Sequence, residues 1–201
     1  MKPEANFDRV AKTFDFLRAG DTRRWSSSQL RFFSQLEGRV LYVGVGTGQE
    51  IINFPSGLDI SGIDISAPML QNAKHRARVY PGKMRLYQMD AERLAFADNH
   101  FDAILTVCVL CTVARPLPCL KELKRVLKPG GRIYSFEHVM SRNPLFGIPL
   151  QLMNPFSLKL TGTSLTRDTV STISQSGFEV ESVENVYLDI VKMIRAQKPA
   201  E

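Results

Sequence analysis

The 201 residues contain no run of eighteen apolar residues, so no transmembrane helix is expected. The opening stretch, MKPEANFDRVAKTFDFLRAG, has no long apolar block and reads as no secretory signal. Cysteine is scarce. Cys108, Cys111 and Cys119 make an odd number, which argues against a disulfide framework and for a reducing compartment. Cys108 and Cys111 do form a C-x-x-C. No second Cys/His pair follows at zinc-finger spacing, so a metal or redox role is disfavoured and no metal is expected. No five or six basic residues stand in succession, although 26 basic and 20 acidic residues leave a net charge of +6. Such a balance suits an anionic membrane surface or nucleic acid, and equally a soluble protein with a basic skin. Arg23, Arg24 and Trp25 are its densest basic-aromatic spot, a weak candidate for lipid headgroups. No internal repeat and no low-complexity tract is found. Absent too is G-x-x-x-x-G-K-S/T, which disfavours a nucleoside triphosphate.

What remains is ordinary for a soluble globular domain: 44% apolar and 23% charged residues, in a length that suits one domain with a sizeable core. Phe7, Val10, Ala11, Phe14 and Leu17 recur at helical spacing over 5 to 19. Gly20 is expected to end that helix, and Asp21 to cap a second over 22 to 36. Then the period changes. RVLYVG reads as a buried strand, TGQEIINF as a helix closed by Pro55, and GLDISGIDI as a second strand. Ser66 and Pro68 suit the first turn of a helix reaching Val79. KMRLYQMD and the almost wholly apolar FDAILTVCV are strands three and four. Leu117, Leu120, Leu123, Val126 and Leu127 share one helical face, and GGRIYSFEHV is strand five. Near-continuous apolar strands alternating with helices imply burial on both sheet faces. The expected fold is α/β, a doubly wound Rossmann-like sheet of seven strands, parallel except for a C-terminal antiparallel hairpin strand. Within a single domain the regions expected are an N-terminal helical lid (1–36) and a core (37–139). An apolar insert with a helix over the acceptor pocket (140–176) and a hairpin (177–201) follow. The short helix of the third region is placed over Thr166 to Gln175.

In such sheets ligands bind past the carboxyl ends of the strands, at the topological switch point. Gly44, Gly46 and Gly48 follow strand one and let backbone approach a ligand, while the next helix aims its first N–H groups there. Asp64, twenty positions after Gly44, ends strand two, where a carboxylate can accept from both hydroxyls of a ribose. After strand three, Asp90 can accept from an adenine amino group and the Ala91 N–H can face a ring nitrogen. Three strand ends thus offer groups for one adenosine-containing ligand. The glycine spacing departs from G-x-G-x-x-G, and Glu50 would sit unfavourably beside a pyrophosphate, so the ligand should lack phosphates.

The ordered set VLYVGVGTG, GIDIS, MDAERLAFADNHFDAIL and LKRVLKPGGRIY resembles the motifs of class I S-adenosylmethionine-dependent methyltransferases. The nearest branch is that of the type 11, ubiquinone/menaquinone methyltransferases. TVCVLCTVARPLPCLKELKRVLKPGGRIYSFEHV is also similar to small phospholipid N-methyltransferases and lipid-droplet-associated thiol methyltransferases. FDRVAKTFD resembles the branch's Y-D-x-x-A-x-x-Y-D segment, with Phe7 and Phe14 in the tyrosine places. The resemblance spans about residues 7 to 139. It implies S-adenosylmethionine as cofactor and S-adenosylhomocysteine as product. By it Gly44, Gly46 and Gly48 border the methionine part, Asp64 the ribose, and Asp90 with Ala91 the adenine. Ile65 and Thr106 complete the cofactor-binding candidates. Two positions depart from the family: Tyr42 stands where an acid is usual, and Val45 where cysteine is frequent. Loss of that acid removes a partner for the cofactor's ammonium or its ordered water.

Methyl transfer from a sulfonium disperses charge, so a dry, aligned pocket supplies most of the rate and no loud catalytic motif is needed. His138, after strand five, is the catalytic candidate; the alternative is a histidine hydrogen-bonded at a strand end. Cys111 reads as a buried small hydrophobe. Asp102 reads as structural, away from the ligand edge. Residues 143 to 162 carry Leu145, Phe146, Ile148, Leu150, Leu152, Met153, Phe156, Leu158 and Leu160. They form either a greasy lid that touches membrane or an ordinary packed helix. The acceptor expected is small or lipid-like: a phospholipid amine or quinone-type atom first, a thiol next, with nucleic acid disfavoured. A monomer or dimer, cytoplasmic or peripheral at a membrane surface, fits this reading. Two alternatives stay open: a non-catalytic module that binds S-adenosylmethionine or S-adenosylhomocysteine, and a nicotinamide oxidoreductase.

Overall fold

A computed structural model describes residue 8 and residues 14 to 200. Helix α1 (Phe14–Phe33) leads into strand β1 (Arg39–Val43), then a single 3-10 turn (Gln49–Asn53) and β2 (Asp59–Asp64). Helix α2 (Ala67–Arg78), β3 (Lys83–Gln88), β4 (Phe101–Val107), α3 (Pro116–Val126) and β5 (Leu127–His138) continue the alternation. Helices α4 (Pro144–Thr161) and α5 (Thr169–Gln175) precede β6 (Glu179–Tyr187) and β7 (Val191–Gln197). The seven strands form one sheet in the order β3-β2-β1-β4-β5-β7-β6. Strands β1 to β5 pair in parallel, and β7 runs antiparallel to both β5 and β6.

The period-two pleat sorts each inner strand between two cores. Val40 and Tyr42 of β1 enter one core, with Phe32, Phe33 and Phe54. Leu41 and Val43 enter the other, with Leu120, Leu123 and Val126 of α3. In β4 the sorting is reset by a register shift between Phe101 and Ala103, after which Ala103 and Leu105 face the α1 side and Ile104 the α3 side. The chain folds back between β1 and β4, so the tips of β1, β2 and β3 lie on one side of the reversal.

Several local expectations are corrected. Gly20 does not end a helix: α1 runs through it unbroken. Beyond its own turn of helix, no described atom lies within 4 Å of where its Cβ would stand, so glycine here costs only helix propensity, about 1 kcal/mol. The buried Trp25, Phe32 and Phe33 supply a far larger reason to remain helical. The expected helix over 5 to 19 falls, before residue 14, outside the described residues apart from residue 8. TGQEIINF yields one 3-10 turn rather than an α-helix, because Gly48 enters in the left-handed region at φ 80° and Phe54 is extended before Pro55. So short an element has no macrodipole to offer an anion. Trp25 does not face solvent: it is 8% exposed, packs on Phe136 and Tyr187, and carries the Arg24 guanidinium on its outer face. Ser66 caps α2 as expected, accepting from the Met69 N–H.

Candidate functional site: an acidic cavity at the strand tips

A cavity of about 280 Å³ opens where β1, β2, β3 and β4 end. Gly44, Gly46, Asp64, Ile65, Asp90 and Ala91 line it, six of the residues singled out from the sequence. Gly48, Thr106 and His138 do not line it. The remaining wall is largely apolar, from Val45, Met69 and Met89 to Val107, Val109 and Val113.

The turn after β1 is built around Asp64. Its Oδ2 accepts from the Gly46 N–H at 2.7 Å and its Oδ1 from the Ser66 N–H at 2.9 Å. Burial pushes the Asp64 carboxyl above the usual aspartate value, against the pull of those amides. Two of the glycines have steric reasons of their own. A Cβ at Gly44 would stand 2.3 Å from a Val109 methyl, and one at Gly48 2.8 Å from Ile51. Helix α1 grips the same turn from outside. The Asp15 carboxylate accepts from the Thr47 hydroxyl and from Arg76, whose Nη1 also donates to the Thr47 carbonyl at 2.8 Å.

The opposite wall is the segment from Cys108 to Ala114. Two charges that line neither face of the cavity hold it. Glu137 of β5, fully buried, accepts from the Thr106 hydroxyl at 2.8 Å and from the N–H groups of Val109, Leu110 and Cys111. Arg167 donates to the Leu110 and Val113 carbonyls at 2.6 and 2.8 Å. Thr106 is thus turned away from the cavity toward Glu137. The Cys111 thiol is buried next to Cys108 and pushed well above its ordinary value, so it stays protonated. His138 ends β5. Burial lowers its imidazole below the usual histidine value, and its buried Nδ1 has no hydrogen-bond partner among the described residues. Asp102 lies at the far end of β4, accepting from the Arg39 N–H at 2.8 Å and pairing with Lys128.

Electrostatically the cavity is one-sided. Glu50, Asp64, Asp90 and Glu92 contribute carboxylates, and no Lys, Arg or His is among the described lining residues. Glu92 is neutralised from outside by Arg115 at 2.6 Å. A phosphate would be repelled here, whereas a cation is attracted. An apolar slot with acceptors at two successive strand ends fits an adenosine that carries positive charge, and S-adenosylmethionine bears both a sulfonium and an ammonium. Among the described residues no three His, Cys, Asp or Glu are placed to hold a metal ion.

Glu137, Arg167 and the cavity position of Glu50 were not foreseen. The available signal for Glu137 was a lone acid inside the apolar run YSFEHV, which a central strand tolerates only if the charge is hydrogen-bonded.

A sheet of this order, with an acidic nucleoside-sized cavity at its reversal, defines a class I S-adenosylmethionine-dependent methyltransferase. The comparisons with known proteins agree. Residues 41–135 match the family described as Methyltransferase domain. The chain is 32% identical to the ubiquinone/menaquinone biosynthesis C-methyltransferase UbiE of Azotobacter vinelandii, in an alignment covering 92% of this chain and 83% of that one. It is 36% identical over 149 residues to the demethylmenaquinone methyltransferase of Renibacterium salmoninarum, covering 71% of this chain and 60% of the relative. Several further curated relatives are spanned over a little under two thirds of their own length. Among solved structures, an S-adenosylmethionine-dependent methyltransferase of Thermotoga maritima superposes with a TM-score of 0.71 at 22% identity, covering 96% of this chain and 99% of the other. The chain belongs to the UbiE-like branch of the class I S-adenosylmethionine-dependent methyltransferases.

Proposed function

We propose that the protein transfers a methyl group to a ring carbon of a quinone-type, lipid-like acceptor. The observation that carries this is the 32% identity, across 92% of the chain, to a relative named as a ubiquinone/menaquinone C-methyltransferase. The relatives lend no support to the phospholipid amine or thiol acceptors that the sequence left open.

The cofactor supplies an electrophilic methyl group on a cationic sulfur. The residues that would hold it are the Asp64 carboxylate at the ribose, Asp90 and the Ala91 N–H at the adenine, and the Gly44–Gly46 turn along the tail. Ile65, Met69 and Met89 exclude water from the ring. The segment held by Glu137 and Arg167 forms the wall opposite, where alignment of the reacting atoms supplies rate without new charge. An aromatic C–H gives up one proton for the methyl it gains. His138 is our candidate to take that proton, at an Nδ1 that has no described partner, although its side chain lines neither this cavity nor the one beside α4.

Helix α4 supports a greasy acceptor. It does not line the cofactor cavity; it borders a second cavity of about 840 Å³ between the end of β5 and the hairpin, through Pro144, Gly147 and Ile148. Its outer face leaves Leu145, Leu152 and Phe156 each more than 70% exposed. No described helix is long and apolar enough to cross a membrane. An apolar stripe of this kind, on a chain of net charge +6, suits docking at the surface of a bilayer that holds the acceptor.

The test incubates the protein with methyl-labelled cofactor and a chemically reduced demethylmenaquinone in anionic vesicles, followed by mass spectrometry. Label on the quinone ring carbon is expected. Label on phosphatidylethanolamine, or on no lipid, would overturn the acceptor assignment. In the same assay the double substitution Leu152→Glu with Phe156→Glu should lower turnover about 10-fold, since two exposed apolar anchors for the bilayer are lost. Its affinity for S-adenosylhomocysteine should not change, and an equal loss in both would mean that α4 is simply part of the core.

A further inference from the structure

Strand one raises a question that the cofactor reading leaves open. Its fourth residue, Tyr42, is fully buried and packs its ring 5.2 Å from Phe54. The side chain does not line the cavity. Its hydroxyl instead donates to Oε2 of Glu50 at 3.2 Å, beneath the glycine turn. Glu50 is itself only 5% exposed, and it does line the cavity.

The sheet order decides what Glu50 meets. The tips run β3, β2, β1 in sequence across the sheet. A ligand with its adenine at Asp90 and Ala91 and its ribose at Asp64 has one direction left for its tail, toward the residues that follow β1. Those are Gly44, Val45, Gly46 and Glu50, and of these only Glu50 carries a charge. A carboxylate brought this far from water is expensive unless donors or a cation meet it. The phenol is one donor. The aminobutyrate tail of the cofactor brings an ammonium.

We infer that Glu50, oriented by the buried Tyr42 hydroxyl, receives the α-ammonium of the cofactor tail. Tyr42 is then a positioning residue and Glu50 the binding residue. The acid that the chain lacks on strand one is supplied eight positions later, from the 3-10 turn, with the tyrosine filling the space between. This inference rests on the cofactor reading above and deepens it.

The experiment compares two ligands by calorimetry: S-adenosylhomocysteine, which has the ammonium, and 5′-methylthioadenosine, which keeps the nucleoside and lacks the amino acid tail. Glu50→Gln preserves shape and removes charge. It should weaken S-adenosylhomocysteine about 10- to 100-fold, the range for losing a charge-assisted hydrogen bond, and shift methylthioadenosine by less than about 2-fold. Tyr42→Phe keeps the buried ring and removes only the hydroxyl. It should cost S-adenosylhomocysteine about 3- to 10-fold and methylthioadenosine nothing, because one neutral-donor bond to the carboxylate is lost. Parallel losses for both ligands, or no loss for either, would overturn the inference while leaving the cavity assignment standing. An unaltered protein that binds neither ligand would overturn the cofactor reading and this inference together.

Discussion

Asp64→Ala is expected to weaken binding of S-adenosylhomocysteine by about two to three orders of magnitude, since two hydroxyl bonds to a half-buried carboxylate are lost together. The protein should still fold. Asp64 stands at the end of β2, outside both apolar cores, and accepts from the Gly46 N–H of the turn after β1 and the Ser66 N–H at the cap of α2. Calorimetry gives the affinity and circular dichroism the fold. An unchanged dissociation constant would remove the ribose assignment and with it the direction in which the ligand lies. A pH series adds a second check. Ribose hydroxyls donate to the charged carboxylate, and burial raises this carboxyl above its ordinary value of 3.8. Affinity should therefore fall with acidification from above pH 3.8, as the proton competes with the hydroxyls. For folding the same shift has the opposite sense: the native state holds the proton more tightly than the unfolded chain. That contribution is complete below the unfolded value and is lost as pH rises through the raised one. Acid should thus weaken cofactor binding in a range where this one group does not destabilise the fold.

Glu137→Ala is expected to be the most damaging single substitution for stability. It would leave the Thr106 hydroxyl and three N–H groups facing a void in the protein interior. Removing the acceptor from buried donors costs about 1–3 kcal/mol for each group left unsatisfied, and partial relaxation brings the sum to about 3–5 kcal/mol. Urea unfolding measures it. Glu137→Gln keeps one acceptor oxygen and should cost about 1–2 kcal/mol. The two substitutions should also separate in function. Glu137→Gln should lower S-adenosylhomocysteine affinity and turnover less than Glu137→Ala does, since the segment that carries Val109 and Val113 would shift less against the bound ligand. A loss below about 1 kcal/mol for Glu137→Ala would show that the Cys108–Ala114 wall is held by packing and by Arg167 without need of Glu137.

Much of the architecture was legible because its signals are periodic. The apolar runs RVLYV and FDAILTV, alternating with helices, imply strands buried on both faces of a doubly wound sheet, whereas the strand order is read from the structure. The hairpin after Gly177 was legible from the alternation in FEVESVENVYLDIVKMIRA. Gly20 misled because an exposed glycine in a helix costs little against a face bearing Trp25, Phe32 and Phe33. In the cavity, Gly44, Gly46, Asp64, Ile65, Asp90 and Ala91 came out together because each follows a strand tip. Thr106 points instead into the sheet layer, toward a partner 31 residues away on β5, and no local pattern states that pairing. Glu50 was read only as a charge hostile to phosphate. Its bond to Tyr42 depends on a 3-10 turn where a longer helix was expected. Side-chain pairs across elements are set by packing, and one sequence does not spell them out.

Strand β7 follows β6 in the chain and yet lies inside the sheet, bonded to β5 on one side and β6 on the other. During synthesis β5 must therefore wait with an open edge, and β6 finds no neighbour until the residues from Val191 onward leave the ribosome. Removing those residues would not trim a rim; it would excise the wedge that joins the hairpin to the rest. A nascent or shortened chain is then the form of this protein most exposed to pairing with another copy of itself.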